Sequence, residues 1–470
     1  MEFDRDLVEW EPRDAANPHN WSTRRKLFIS LVLNTLPFVV NVSAGVLSGS
    51  STQLAEDFHV PRTTVVLIVT MFLLGYAVGP LVFGPLSERI GRKIPIMVGI
   101  IGFASFSLPI ALAQNFYTIL ICRFLSGTFG AASMAVTGGA IGDIWPSPVA
   151  RGVGLDVLVM TGYLGPALGP IIGTYITNSS LGWRWALWVT MIAAYAFSIL
   201  FYCCVPETFA PVLLSQKAKR LRLRSKNWAL HSKHDMEESI TLSTFARTYL
   251  VRPMVLLATE PIYLLTTVYM AFIYALEFIL LQGFPANFIG VHGWTPENAS
   301  LAFLSLVIGG IIGFAFVFWY STTIYARQLQ STPGIVVPER RLPPMILTGL
   351  ILPPGLFWAA WTSDPNIAWP VQMLAYIFVG ISLYVTFLQG FKYIVDVYLP
   401  VASSAIAGNM FVRSFFGAGF PVFTPYMYNN LGVPWATSTL GFISLALAPL
   451  PVVYYVSGKK IRGFSKHTYN

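Results

Sequence analysis

Charge is scarce in this chain. Only 11% of the 470 residues are charged, there are three cysteines and six histidines, and 55% of the residues are hydrophobic. Each scarcity excludes something. Cys122, Cys203 and Cys204 all fall within apolar segments, with no histidine or carboxylate near them at ligand spacing. The sequence therefore points to neither a disulfide framework nor a metal centre. It has no phosphate loop and no hydrolytic motif in a plausible setting, so no enzyme is expected and no cofactor is required. So few charges between so many apolar runs also exclude an ordinary soluble domain.

What is present is a recurring apolar segment of about 18 to 25 residues, long enough as a helix to cross roughly 30 Å of hydrocarbon. Twelve are read, at 27–49, 64–84, 94–114, 117–140, 152–176, 184–205, 256–281, 300–322, 343–361, 369–390, 402–426 and 436–457. The fold class expected is an all-α integral membrane protein. The first segment is too long for a signal peptide, and no small-residue cleavage pattern follows it. Residues 1–26 read as a mobile N-terminal tail, 27–205 as one six-helix bundle, 206–255 as a polar linker, 256–457 as a second bundle and 458–470 as a C-terminal tail.

Orientation follows from the 30 Lys and Arg. Placing both termini in the cytoplasm puts 26 of them on that side, counting Lys392 in the loop between spans ten and eleven. This is the positive-inside bias, and it accounts for the net charge of +9 without nucleic acid. Lys217, Lys219, Arg220, Arg222, Arg224 and Lys226 read equally as a solvated run or as a strip against anionic inner-leaflet lipid. The sequons at Asn178 and Asn298 fall on the outer side in this topology.

Inside this frame a few polar residues stand out. Gly84, Glu88, Arg89, Gly91, Arg92 and Lys93 fill the turn between spans two and three, either as a basic turn that sets topology or as a gating latch at the cytoplasmic rim. Arg123 in span four and Arg413 in span eleven are arginines in hydrocarbon, which normally face a bundle interior. Each reads either as a polar clamp between helices or as a cation lining a cavity. Among the rare acids, Glu277 is the preferred proton-binding candidate and Asp156 the second, because a desolvated carboxylate holds its proton more tightly. Gly165, Pro166 and Gly169 belong to a span-five run of small residues and prolines that permits close helix approach and bending, read as a gating interface. Tyr269, Tyr274, Tyr384, Asn409, Phe415 and Phe420 are the candidate cavity side chains. An aromatic site with few acids suits a small amphipathic organic substrate.

At these residues the chain resembles the major facilitator superfamily, in particular its fungal drug:proton antiporter branch with twelve spans. Gly84 to Lys93 is similar to the loop signature G-x-x-x-D-R-x-G-R-K, with Glu88 where aspartate is usual. Arg123, Gly127 and Gly130 resemble the fourth-span motif associated with proton coupling. Gly152, Gly165, Pro166 and Gly169 resemble the fifth-span antiporter signature, with Thr161 in place of its second glycine. Asn17 to Trp21, Pro206 to Thr208, Arg252-Pro253, Glu260 to Ile262, Tyr393 to Asp396, and Asn409 with Arg413 to Pro421 extend the likeness. The resemblance implies two six-helix bundles rocking about a midplane site. It also implies export of a xenobiotic or fungal toxin by proton antiport, the proton gradient being the energy source. The location implied is the plasma membrane, with the vacuolar membrane second, and no obligate protein partner is expected. The alternatives are a polyamine exporter, a facilitator or nutrient importer and, in a different class, a non-transporting receptor.

Overall fold

An open chain crossing hydrocarbon must satisfy its backbone hydrogen bonds within each segment, so apolar runs of this length fold as helices. The computed structural model describes residues 6–11, 13–236, 251–331, 337–463 and 465. Among these it is all-helical, with no strand longer than the isolated bridge of Leu7 with His231. The crossing helices are Thr23–Val46, Leu67–Ile90, Lys93–Ala111, Phe116–Ile144, Pro148–Thr177, Trp183–Cys204, Pro261–Phe284, Phe303–Tyr320, Leu342–Trp361 and Trp369–Val397, and then a run from Ala402 to Leu447 continued by Pro449–Arg462.

That last run is two spans. Gly432 interrupts it at φ 72°, a left-handed conformation that favours glycine. The Tyr428 and Thr437 hydroxyls lie 3.4 Å apart, whereas nine residues of straight helix rise about 13.5 Å. Before the turn, the chain runs parallel to span seven: Tyr263 donates to Ala405 O and Arg413 lies over the Tyr274 ring. After it, the chain runs antiparallel to span nine, pairing Trp361 with Trp435, Phe357 with Phe442 and Glu339 with Arg462. The twelfth crossing is therefore complete.

The helices pack as two groups, spans one to six and seven to twelve, which meet where span two lies on eleven and span five on eight and ten. Span five packs on span one through its small residues. A Cβ on Gly173 would stand 1.8 Å from Val46 O, one on Gly169 2.7 Å from Val42 O, and one on Gly165 2.4 Å from Asn41 Cβ. The glycines and prolines expected to form a gate thus shape a contact between two helices of the same group.

Several boundaries differ from the sequence reading. The turn between spans two and three is shorter than ten residues, because helix continues through Gly84, Glu88 and Arg89 to Ile90. The reversal falls on Gly91, at φ 96°, and Arg92. Nothing crowds Gly84. Span seven begins at Pro261, after a break at Glu260, which is buried beside the Tyr398 hydroxyl at 3.4 Å. Lys392 lies within span ten rather than in a loop.

The N-terminal segment is also not a free tail. Val8 N donates to His231 O, His231 N donates to Asp6 O, and Lys217 of the linker helix Ala210–Ser225 holds Asp14 at 2.8 Å and Glu11 at 3.5 Å. The Lys217 hydrogen bond keeps the Asp14 carboxyl below its ordinary value, so the contact is present at neutral pH and is lost only as pH falls through that depressed value. Residues 237–250 of the expected linker, and 464 and 466–470 of the expected C-terminal tail, lie outside the described residues.

The two kinds of glycine make opposite predictions. Gly173→Ala places a methyl group against backbone that cannot move aside, and should destabilise the protein by about 1–3 kcal/mol or more. Gly84→Ala, in an open helical position, should be neutral or raise stability by up to about 1 kcal/mol. Thermal unfolding of the purified variants reads both; equal melting of the two would contradict the packing described.

Candidate functional site

Among the described residues most Lys and Arg lie at the same ends of the crossing helices, here called the basic face, with Arg62 and Arg184 at the opposite ends, and the hydrophobic segments between leave little room for unpaired charge. Where charges are buried they lie between helices. Glu277 of span seven and Arg413 of span eleven, both buried, line one central cavity of about 30 Å³. Asn41 of span one, Tyr76 of span two, Tyr163 of span five, Tyr274 of span seven, and Tyr384 and Phe387 of span ten complete most of its wall. The Arg413 guanidinium lies 5.0 Å from the Tyr274 ring centre and 4.9 Å from that of Phe387, a cation held by aromatic faces. One Glu277 carboxylate oxygen and the Arg413 Nε are buried without a hydrogen-bond partner among the described residues.

A volume of this size holds a water or two and no organic substrate. Larger cavities flank it. On the basic face, about 280 Å³ opens between spans four, five, ten and eleven, walled mostly by apolar side chains, with Arg151 and Arg413 both lining it. Met134, Val159, Phe387 and Arg413 line this cavity and the central one alike, and so form the partition between them. On the opposite face, a cavity of about 270 Å³ is lined by Ser48, Ser50, Thr174 and Thr177 among others. Its rim is tied across the two groups, Asn178 Nδ2 donating to Glu297 Oε1 at 2.6 Å. The conformation is closed at its centre.

A seam of polar contacts joins the groups. Thr70 Oγ1 donates to Ala418 O at 2.8 Å, Tyr163 OH to Leu306 O at 3.1 Å, and Tyr384 OH to Asp156 O at 2.9 Å. Nearer the basic face, Asp156 of span five forms a fully buried ion pair with Lys392 of span ten. Beside it, within the second group, Arg341 holds Asp396 at 3.0 Å and stacks on Tyr325.

The other expected site residues fall elsewhere. Arg123 is buried against span one, Nη1 donating to Ser43 O at 3.0 Å and to Ser43 Oγ at 3.2 Å, with the Phe72 ring beneath it. It is placed as a clamp between spans four, one and two, outside the central cavity. Tyr269 and Asn409 are buried inside the second group, Asn409 donating to Thr267 Oγ1 at 3.4 Å. Phe420 stacks on Phe416, while Phe415 is 46% exposed and points away from the cavity lining. Of the six expected cavity side chains, Tyr274 and Tyr384 line the centre.

The turn after span two is braced within its own group. Arg92 holds Asp143 of span four at 3.0 Å and Ser87 at 2.8 Å. Lys93 Nζ reaches Tyr202 O at the end of span six. The Glu207 carboxylate caps the start of span three, accepting from Arg92 N at 2.8 Å and Lys93 N at 3.0 Å, and fills the space a Cβ on Gly91 would take. Arg92 and Lys93 therefore do not bridge the two groups. Glu207 lies in the Pro206 to Thr208 stretch of the family likeness, but nothing local to it named this role.

A model of the Major Facilitator Superfamily matches residues 33–421. The chain belongs to that superfamily. It is 40% identical over 98% of its length to an MFS-type transporter of Penicillium crustosum, covering 93% of that protein. It is 41% identical over 98% of its length to a citrinin biosynthesis cluster MFS transporter of Monascus ruber, covering 92% of it, and 38% identical over 99% to a cercosporin MFS transporter of Cercospora nicotianae, covering 90%. The solved structure of the proton:xylose symporter XylE superposes with a TM-score of 0.64 at 16% identity, covering 93% of this chain and 96% of that one, which shows the shared fold. The protein is thus a multi-pass membrane transporter of a family that carries small organic substrates, and not an enzyme.

The buried pair across the seam yields a prediction. Asp156→Asn or Lys392→Gln alone strands one buried charge and should destabilise the closed conformation by about 3–5 kcal/mol. The double variant, with no charge left, should recover most of the loss. Melting temperatures of the purified single and double variants report this; additive losses would mean that the two groups do not act as a pair.

Proposed function

We propose that the protein exports an amphipathic secondary metabolite or toxin from the fungal cytoplasm by proton antiport, with alternating access between the two faces. The observation that carries this reading is the convergence of Glu277 and Arg413 on one closed, aromatic-walled central cavity with a larger cavity on each side of it. A carboxylate there can take a proton from one face and release it to the other, provided protonation and substrate occupancy oppose each other. The citrinin biosynthesis cluster transporter and the cercosporin transporter, similar over nearly their whole length, support a metabolite as cargo. Polyamine export fits less well, because the basic-face cavity has two arginines and no carboxylate in its lining.

The positive-inside bias supports a cytoplasmic basic face, with both termini on that side. The plasma membrane is the proposed location, and the vacuolar membrane the second. Opening toward the cytoplasm separates span five from span ten, so Asp156, Lys392 and Tyr384 act as the inner gate. The end of span two, with Glu88 and Arg89, transmits that motion: His234 of the linker donates to Arg89 O at 3.0 Å, tying this rim to the segment that joins the groups.

In inside-out vesicles, an imposed proton gradient should drive accumulation of an amphipathic metabolite from a panel that also contains drugs and polyamines. Glu277→Gln keeps a neutral hydrogen-bonding group but cannot titrate. It should reduce gradient-driven accumulation about tenfold or more while leaving downhill exchange within a few-fold of wild type. Wild-type accumulation by this variant would move the proton site elsewhere, and gradient-independent flux by the native protein would reject antiport.

A further inference from the structure

Five residues separate the linker helix Ala210–Ser225 from the end of span six at Cys204. Span six presents Ile199 and Tyr202 outward, 66% and 63% exposed, so bilayer lipid adjoins the start of the helix. The cations of the helix divide by face. Lys217 and Arg222 turn toward acids of the N-terminal segment and linker, holding Asp14 and Asp235. Lys219, Arg220, Arg224 and Lys226 are exposed, and none of them forms an ion pair among the described residues. Lys219, Arg220 and Leu223 recur at helical spacing on one side. Leu223 is 65% exposed, and Trp228, just past the helix, is 72% exposed.

A purely solvated charge run has no use for a large aliphatic and an indole standing among its cations. Basic side chains flanking exposed Leu and Trp suit an interface where phosphates meet acyl chains: the ammonium and guanidinium groups reach the anions, and the indole lies at headgroup depth. We propose that this face of the linker helix docks on anionic phospholipid headgroups of the adjoining leaflet, Lys219, Arg220, Arg224 and Lys226 binding phosphate and carboxylate while Leu223 and Trp228 insert. Each added basic residue strengthens such attraction, and salt screens it. Because Lys217 and Arg222 stay on Asp14 and Asp235, docking leaves the N-terminal segment in place.

Hydrogen exchange of the full-length protein in nanodiscs of phosphatidylcholine, with and without phosphatidylserine, tests this. Amides of 219–228 should exchange several-fold more slowly with phosphatidylserine at low salt, and the difference should vanish at high salt. Combined K219Q, R220Q, R224Q and K226Q should abolish the lipid effect while exchange in the twelve spans stays as in the native protein. Equal exchange with and without phosphatidylserine, or protection that survives high salt, overturns the proposal; the native-protein arms decide it even if the variant does not fold. Transport is not the readout, so a failed antiport reading would leave this result intact.

Discussion

The cost of placing charge in hydrocarbon orders this structure. An unpaired ion in a low-dielectric layer is penalised by several kcal/mol or more, so charges either leave the layer or find partners within protein. The first outcome collects the basic residues on one face. The second leaves buried ions between helices, among them Arg123 on Ser43, Arg341 on Asp396, Asp156 on Lys392, and Arg413 between aromatic rings in the cavity it shares with Glu277. Of these, Asp156 on Lys392 joins the two groups and Arg413 with Glu277 lines a cavity that both groups wall, so these are the ions whose surroundings change when one group moves against the other.

The polar seam and the apolar packing have different roles. Contacts within a group rest on backbone-to-backbone proximity, as at Gly173 and Val46, and have no alternative arrangement at similar energy. The polar contacts between groups are mostly single hydrogen bonds from hydroxyls, such as Tyr163 to Leu306 and Thr70 to Ala418, with one ion pair among the described residues. Hydrogen bonds of this kind are worth about 1 kcal/mol net each, so a few can be exchanged for water or substrate when a face opens. Rigid groups joined by an exchangeable seam are what rocking about a central site requires.

Much of the fold was legible in the sequence because apolar length is a local property. Spans three, four and six lie within a few residues of expectation, and the last two were separated correctly because Gly432 falls in the gap between two apolar runs. Boundaries failed where polar residues belong to a helix: Lys392 ended an apolar run, yet continues span ten because Asp156 of another group neutralises it. The site was partly legible for the same reason. Glu277 and Arg413 stood out as ions in apolar surroundings, and Tyr274 and Tyr384 as polar aromatics near them in depth. Asn41, Tyr76 and Tyr163 were missed, since helical periodicity says which residues share a face but not which helix that face meets. Phe415 failed on the same point, being on the outward side of a helix whose other side bears Arg413.

Distance measurement across the proposed inner gate tests alternating access most directly. Spin labels at Ser147→Cys and Leu399→Cys, both exposed at the basic-face ends of spans five and ten, report the separation of the two groups in proteoliposomes once the native cysteines are replaced. Alternating access predicts a short and a long population, with the long one enriched when Asp156→Asn and Lys392→Gln remove the buried pair. A single distance, unchanged by those substitutions, by pH and by transported substrate, would contradict it.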